Sequence, residues 1–222
     1  MNFKKFWIII EPRTKTFSIL PGLLGILFAQ YYFQQINLLN SALFLLAAVI
    51  FDAMTSALNN VADFYKGTTN KYQTHINLVG KNEIDPRAGA IVVIVMLLIS
   101  MGIGIYLTVK VGLLLLLIGM FCFAVGIFYT FGPLPLSRLP LGEVFSGITM
   151  GFLIPLLAII VNVPQAQLMG LTIQKGQLLF SLQLQNFFAV VLVCLLPVFT
   201  IAAVELANNV ADYHEDLGNN RY

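Results

Sequence analysis

The sequence predicts an all-α membrane protein, a bundle of helices that cross the lipid bilayer. Three observations support this fold class. The 222 residues are 59% hydrophobic and only 10% charged. The mean hydropathy is +0.87. The apolar residues are gathered in runs of about 20 residues, which is the length that a bilayer-spanning helix requires. Because a water-soluble domain of this size needs far more polar surface, the composition excludes a soluble globular enzyme.

Six apolar runs predict six transmembrane helices. They cover residues 17–33, 39–58, 88–109, 112–131, 144–163 and 187–207. The residues before the first run predict a short helix at the membrane surface, with Trp7 at the level of the lipid headgroups. The polar, glutamine-rich residues 165–185 are also expected to lie on the membrane surface. The two cysteines, Cys122 and Cys194, lie within apolar runs and predict no disulfide.

The distribution of Lys and Arg predicts the orientation. If the N-terminus is cytoplasmic, ten of the twelve basic residues lie inside, and only Lys110 and Lys175 lie outside. This distribution agrees with the positive-inside rule, so the sequence predicts a cytoplasmic N-terminus. The net charge of +2 is too small to indicate a nucleic-acid partner.

A pentapeptide, Asn-Asn-Val-Ala-Asp, occurs twice, at residues 59–63 and 208–212. Each copy ends an apolar run, and the predicted orientation places both at the cytoplasmic side. Polar and acidic side chains at the end of a membrane span are costly unless they are paired, hydrated or bound to a cation. Two copies with the same direction in the membrane indicate parallel repeats. We therefore expect the copies to face each other across one cavity.

Helical spacing extends each copy into a polar stripe. On one face of the second span lie Asp52, Ser56, Asn59 and Asp63, and on one face of the sixth lie Glu205, Asn208, Asp212 and Asp216. Amide and carboxylate oxygens are the ligands that Mg²⁺ prefers in proteins. The stripes therefore predict a magnesium site for a phosphorylated substrate. The alternative is that these residues only cap helices and form hydrogen bonds between spans.

Basic and aromatic residues on the same side complete the expected site. Phosphate oxygens are expected to meet the side chains of Lys66, Lys71, Lys81, Arg87 and Arg138. The positive-inside bias alone is the alternative explanation for them. The face of Tyr129 is able to stabilise a cationic intermediate, although an interfacial aromatic belt has the same composition. Two glycine pairs, Gly102 with Gly104 and Gly147 with Gly151, predict close helix packing.

These motifs resemble the UbiA superfamily of intramembrane aromatic prenyltransferases, which have two aspartate-rich motifs on the second and sixth of nine helices. Within it, the chain is most similar to the 1,4-dihydroxy-2-naphthoate polyprenyltransferases of menaquinone synthesis. The similarity rests on both pentapeptides with their flanking aspartates, and on four further matches. These are Pro12-Arg13-Thr14, Lys66-Gly67-Thr68, Tyr129-Thr130-Phe131-Gly132-Pro133 and Leu141-Gly142-Glu143.

The resemblance implies transfer of a polyprenyl group from polyprenyl diphosphate to an aromatic acceptor at the cytoplasmic face of the cell membrane. It implies Mg²⁺ at Asn59, Asp63, Asn208, Asp212 and Asp216. It implies diphosphate binding by Lys66, Lys81, Arg87 and Arg138, and catalytic roles for Asp63, Asp212 and Tyr129. No obligatory protein partner is expected.

Two features depart from the family pattern. Asn60 occupies a position where the family usually has an acidic residue, so a charge is lost at the first metal position. The chain also ends at Tyr222, where the family continues through about three more helices, so we expect residues 1–222 to be a single, C-terminally incomplete domain. Alternatives are a prenyltransferase for 4-hydroxybenzoate or haem, a membrane transporter with ion-coupling carboxylates, or an inactive fragment.

Overall fold

The structure, a computed structural model, describes residues 1–67, 72–130 and 142–217, and the side chains of Tyr72, Thr130 and residues 212–217 are outside this description. These ranges contain eight α-helices and a two-stranded sheet, with Gly142–Ile160 counted as one helix. The helices are α1 Phe3–Ile9, α2 Thr16–Tyr32, α3 Leu38–Lys66, α4 Leu78–Lys81, α5 Pro86–Val111, α6 Leu113–Thr130, α7 Gly142–Ile160 and α8 Leu184–Leu217. Short 3₁₀ and π turns cover Pro12–Lys15, Tyr72–Ile76 and Gln165–Gln167.

All six predicted apolar runs form helices. Four of them, α3, α5, α7 and α8, are long and apolar enough to cross a membrane. The helices α2 and α6 are shorter, with 17 and 18 residues. The chain is therefore a multi-pass, mostly helical membrane protein. The crossing of all six helices and the side on which the N-terminus lies stay predictions.

Polar residues at the ends of the apolar runs determine where the helices begin. The side chain of Asn37 accepts a hydrogen bond from the Asn40 amide at 3.0 Å and caps α3. The side chain of Asp85 caps α5 in the same way, and Pro86 follows at the first helical position. Such caps satisfy backbone amides that have no partner within the helix. The helices α3 and α5, which pack against each other, thus have sequence-encoded starts.

Glycines allow the closest contacts between helices. The middle of α7, residues Gly147–Leu153, is a π-helical segment that packs against α8. A Cβ atom at Gly151 would lie 2.5 Å from Val198 Cα of α8, so only glycine fits this contact. The predicted close packing at Gly147 and Gly151 is confirmed. The same prediction for Gly102 and Gly104 is wrong, because a Cβ atom there meets nothing within 4 Å in the described structure.

The segment between α7 and α8 contains a β hairpin, which the all-α prediction missed. Strand β1, Met169–Gln174, pairs antiparallel with β2, Gln177–Leu182. The turn is formed by Lys175 and Gly176, with φ of 49° and 78°, the conformation that suits a two-residue hairpin. The turn residues and the pairing of the two strands thus give this segment β structure within an otherwise helical chain. Whether the hairpin lies on the membrane surface stays a prediction.

The buried apolar residues form two clusters. The larger contains the last turns of α7 with parts of α2, α6, α8 and the base of the hairpin. The smaller joins α1, α3 and α5 around Met54 and Val79. These clusters fix the positions of α3 and α8, the helices that contain the two pentapeptides.

Candidate active site

A cavity of about 720 Å³ lies among the helices. Its wall includes residues of α3, α5, α6, α7 and α8, and most of these side chains are apolar. The polar contributions from α3 are Asp52, Thr55, Ser56 and Asn59, and those from α8 are Glu205, Asn208 and Asn209. The two pentapeptide copies therefore contribute to the wall of one cavity.

The first pentapeptide is enclosed by its neighbours. Asn60 is buried, and its side-chain amide donates hydrogen bonds to the Glu11 carboxylate at 2.6 Å and to the Ile9 carbonyl at 3.2 Å. It also donates to the Ser56 carbonyl at 3.1 Å. In turn, the Asn77 side chain donates to the Asn60 carbonyl at 3.0 Å. The observed contacts of Asn60 thus connect the residues before α2, the helix α3 and the segment before α4.

The second pentapeptide makes a similar contact in an open setting. The Asn209 side chain donates a hydrogen bond to the Glu143 carboxylate at 2.8 Å, but both Asn208 and Asn209 are exposed. Two equivalent pairs result. Glu11 and Asn60 are 49 residues apart in the sequence, and Glu143 and Asn209 are 66 residues apart. The hairpin lies within the longer interval. The units α2–α3 and α7–α8 therefore share an equivalent Glu–Asn hydrogen bond in addition to the pentapeptide.

A largely buried ion pair lies on the side of α3, where Asp52 belongs to the wall of the cavity and Lys15 does not. The Lys15 ammonium contacts the Asp52 carboxylate at 2.9 Å, and their side chains are 7% and 16% exposed. Lys15 also donates to the Ser56 hydroxyl at 2.7 Å. The second carboxylate oxygen of Asp52 accepts a hydrogen bond from the Ser18 hydroxyl at 2.7 Å. Both charges are thus paired and hydrogen-bonded, as buried charges require.

The predicted metal ligands are only partly brought together. Asn59 and Asn208 line the cavity, whereas Asp63 is buried and is absent from its described lining. The side chains of Asp212 and Asp216 lie outside the described residues. Among the residues that the structure does describe, no group of three His, Cys, Asp or Glu side chains is arranged to hold a metal ion. The amide and carboxylate oxygens in the wall are nevertheless the hard donors that suit Mg²⁺.

The predicted diphosphate-binding residues that the structure describes do not line this cavity. Lys66, Lys81 and Arg87 are exposed and do not belong to its described lining. Lys71 and Arg138 are outside the described residues. Tyr129, the predicted aromatic catalytic residue, does line the cavity. Of these described residues, only the aromatic one belongs to the lining of the cavity.

Four residues of the site were missed or given no role by sequence reasoning. Lys15 was counted only as a basic residue of the cytoplasmic side, and Glu11, Glu143 and Asn77 were given no function. A signal for two of them is present in the sequence, because an isolated Glu precedes the first apolar run of each repeated unit. The pairing of Lys15 with Asp52 has no such signal, since it depends on how α2 packs against α3.

Comparisons with known proteins agree with these observations. The profile of the UbiA prenyltransferase family matches residues 18–222. The 1,4-dihydroxy-2-naphthoate octaprenyltransferase of Bacillus subtilis (strain 168) is 26% identical over 212 residues, which are 95% of this chain and 61% of that protein. The chain therefore spans about three fifths of the length of this relative.

A solved structure shares the fold. It comes from a study of the biosynthesis of digeranylgeranylglyceryl phosphate synthase in membranes, and it matches with a TM-score of 0.66 and 14% identity. The match covers 98% of this chain and 66% of that chain. At this identity, the likeness concerns the fold alone.

Proposed function

Because the chain belongs to the UbiA prenyltransferase family, we propose that it transfers a polyprenyl group from a polyprenyl diphosphate to 1,4-dihydroxy-2-naphthoate. The observation that carries this proposal is the shared cavity, which combines a largely apolar wall with the asparagines of both pentapeptides. The name of the Bacillus subtilis relative supports the choice of acceptor. The reaction belongs to menaquinone synthesis if this acceptor is correct.

The cavity suits the two ends of a polyprenyl diphosphate. Apolar residues of α5 and α6, such as Ile105, Met120 and Phe123, offer a wall for the isoprenoid tail. The diphosphate lies next to the ends of α3 and α8, where Asn59, Asp63, Asn208, Asp212 and Asp216 would hold Mg²⁺. When bound, this ion neutralises the charge that develops on the leaving diphosphate. Lys66, Lys81, Arg87 and Arg138 assist at the cytoplasmic surface.

The proposed reaction has two steps: the diphosphate leaves the prenyl group, and the aromatic acceptor then attacks the cation that remains. The bond between the allylic carbon and the diphosphate oxygen breaks, and the electron pair leaves with the diphosphate. The face of Tyr129 stabilises the allylic cation, and the apolar wall excludes the water that would otherwise capture it. The electron-rich naphthoate ring then forms the new carbon–carbon bond. Loss of CO₂ from the ring carbon restores aromaticity.

The proposed arrangement in the membrane follows from the charges. Six helices cross the cell membrane, the N-terminus lies in the cytoplasm, and the pentapeptides lie on that same side. Ten basic residues then face the anionic inner surface. Both substrates are accessible from there, because the tail partitions into lipid while the diphosphate and the acceptor remain at the surface.

Prenyl transfer by the purified protein in lipid nanodiscs tests the proposal. Labelled polyprenyl diphosphate, Mg²⁺ and a panel of acceptors are supplied, and the products and released diphosphate are measured. We expect a prenylated, decarboxylated naphthoate, and a loss of at least about 100-fold in Asn59→Ala and Asp63→Asn. Gly102→Ala, which changes a position far from any close contact, is the matched control and keeps full activity.

Three results would contradict the proposal in different ways. Prenylation of 4-hydroxybenzoate but not of the naphthoate would change the acceptor. Movement of substrate across the membrane without release of diphosphate would indicate a transporter. Full activity of a folded Asp63→Asn variant would remove the metal site from the mechanism.

A further inference from the structure

We propose that the Ser56 hydroxyl donates a hydrogen bond to an oxygen atom of a molecule bound in the cavity, and that Lys15 positions it for this task. The inference rests on the proposed function for the identity of the bound molecule. The donor itself follows from the hydrogen bonds around Lys15, which were not part of the sequence prediction.

Lys15 determines the direction of the Ser56 hydroxyl. Its ammonium nitrogen contacts three oxygens: the Asp52 carbonyl at 3.0 Å, the Asp52 carboxylate at 2.9 Å and the Ser56 hydroxyl at 2.7 Å. An ammonium group has three donors and no acceptor. Ser56 therefore accepts in this contact, and its own proton points elsewhere.

The Ser56 proton has no protein acceptor in the described part of the chain. The only hydrogen bond that its hydroxyl forms there is the one that it accepts from Lys15. Ser56 also lines the cavity. Because an unused donor in a largely apolar wall is costly, a bound molecule with an oxygen acceptor gains by meeting it.

Thr55, the residue before Ser56, differs from it in how its hydroxyl proton is used. Thr55 lines the same cavity, but its hydroxyl donates to the Asp52 carbonyl at 2.8 Å, one turn back in α3. Its proton is therefore already used. Thr55 and Ser56 are adjacent hydroxyl residues in the same wall, and only Ser56 retains a donor for a ligand.

The partner of Ser56 is an uncharged or anionic oxygen. Asp52 neutralises the charge of Lys15, so the pair attracts no counterion of its own. Contact with the ammonium nevertheless polarises the Ser56 hydroxyl and makes it a stronger donor. Ser56 lies about one turn before Asn59, further from the end of α3 where the diphosphate is proposed to bind. The chemistry fits a hydroxyl or carboxylate oxygen of the aromatic acceptor, and a diphosphate oxygen is the other possible source.

Ligand binding to the intact protein in nanodiscs tests the inference. The probes are 1-hydroxy-2-naphthoate, which carries the acceptor oxygens, and geranyl thiodiphosphate with Mg²⁺, which is a poor substrate for transfer. Their dissociation constants are compared for the wild type, Ser56→Ala, Ser56→Thr and the control Thr55→Ala. Thermal unfolding of each variant is recorded without ligand, so that damage to the fold is separated from loss of affinity.

We expect Ser56→Ala to weaken binding of the naphthoate by about 3- to 10-fold, the effect of one hydrogen bond. Ser56→Thr restores the affinity, and Thr55→Ala leaves it unchanged. A loss confined to the thiodiphosphate would support the donor and assign it to a diphosphate oxygen. Unchanged affinities of Ser56→Ala for both probes would overturn this inference alone. Binding of neither probe by the wild type would contradict the proposed function and, with it, this donor.

Discussion

The two copies of the pentapeptide have the same five residues but different surroundings. In the first copy, Asn60 is buried and connects α3 with the residues before α2 and α4. In the second, Asn209 is exposed, and among the described residues its side chain forms one hydrogen bond, with Glu143 of α7. The repeated sequence therefore places both pentapeptides at the same cavity. The elements packed around each copy determine how much its residues stabilise the fold.

The contrast extends to the charges. The first unit contains a buried ion pair, Lys15 with Asp52, which is supported by two serine hydroxyls. At the position equivalent to Ser56, the second unit has Glu205, which lines the same cavity. Within the described residues, neither unit places a basic side chain in the lining of the cavity. We interpret the first unit as the rigid wall of the proposed site.

The largest expected effect concerns the ion pair of the first unit. Lys15→Met leaves the Asp52 carboxylate buried without its partner, which destabilises the fold by about 3–5 kcal/mol. Unfolding in mixed detergent micelles measures this loss. The double variant Lys15→Met/Asp52→Asn removes both charges and recovers most of the stability. If the double variant were as unstable as the single one, the charge pairing would not be the reason.

A smaller effect is expected where α7 meets α8. Gly151→Ala places a Cβ atom against the backbone of Val198, so we expect a loss of about 1–3 kcal/mol and weaker attachment of the second unit. Gly102→Ala has open space and is the matched control, with a gain of about 0.5–1 kcal/mol from helix propensity. Equal thermal stabilities of the two variants would show that the close approach of α7 and α8 is not needed.

The comparison between the pentapeptides is tested most simply by alanine at equivalent positions. Asn60→Ala removes a buried donor from Glu11 and two carbonyls, and we expect it to cost about 1–3 kcal/mol of unfolding free energy. Asn209→Ala removes one exposed hydrogen bond, with an expected change within about 0.5 kcal/mol. Both are measured by thermal unfolding under the same conditions. A larger loss at Asn209 would reverse our assignment of the rigid wall.

Much of this fold was predictable because membrane helices are encoded locally. Apolar length alone predicted every one of the six long helices, and the cap residues Asn37 and Asp85 are visible in the sequence. The hairpin was missed because composition suggested only a segment on the membrane surface, whereas the turn at Lys175-Gly176 allows strand pairing. The glycines at 102 and 104 were misread because a small residue indicates close packing only if another helix lies opposite.

The site was less predictable than the fold. The repeat led to Asn59 and Asn208, which do share a cavity. The roles of Lys15 and Glu11 were not accessible, because each depends on contacts between segments more than 35 residues apart in sequence. A lysine at the edge of an apolar run looks the same whether it faces lipid headgroups or pairs with a carboxylate inside the bundle.

We propose that the two pentapeptides act together on one bound polyprenyl diphosphate. A double-mutant cycle of Asn59→Ala and Asn208→Ala, with the dissociation constant of geranyl thiodiphosphate in Mg²⁺ as the readout, tests it most directly. We expect non-additive losses, with a coupling of at least about 0.5 kcal/mol, if both asparagines contact the same ligand complex. Strictly additive losses, or no loss in either single variant, would contradict it.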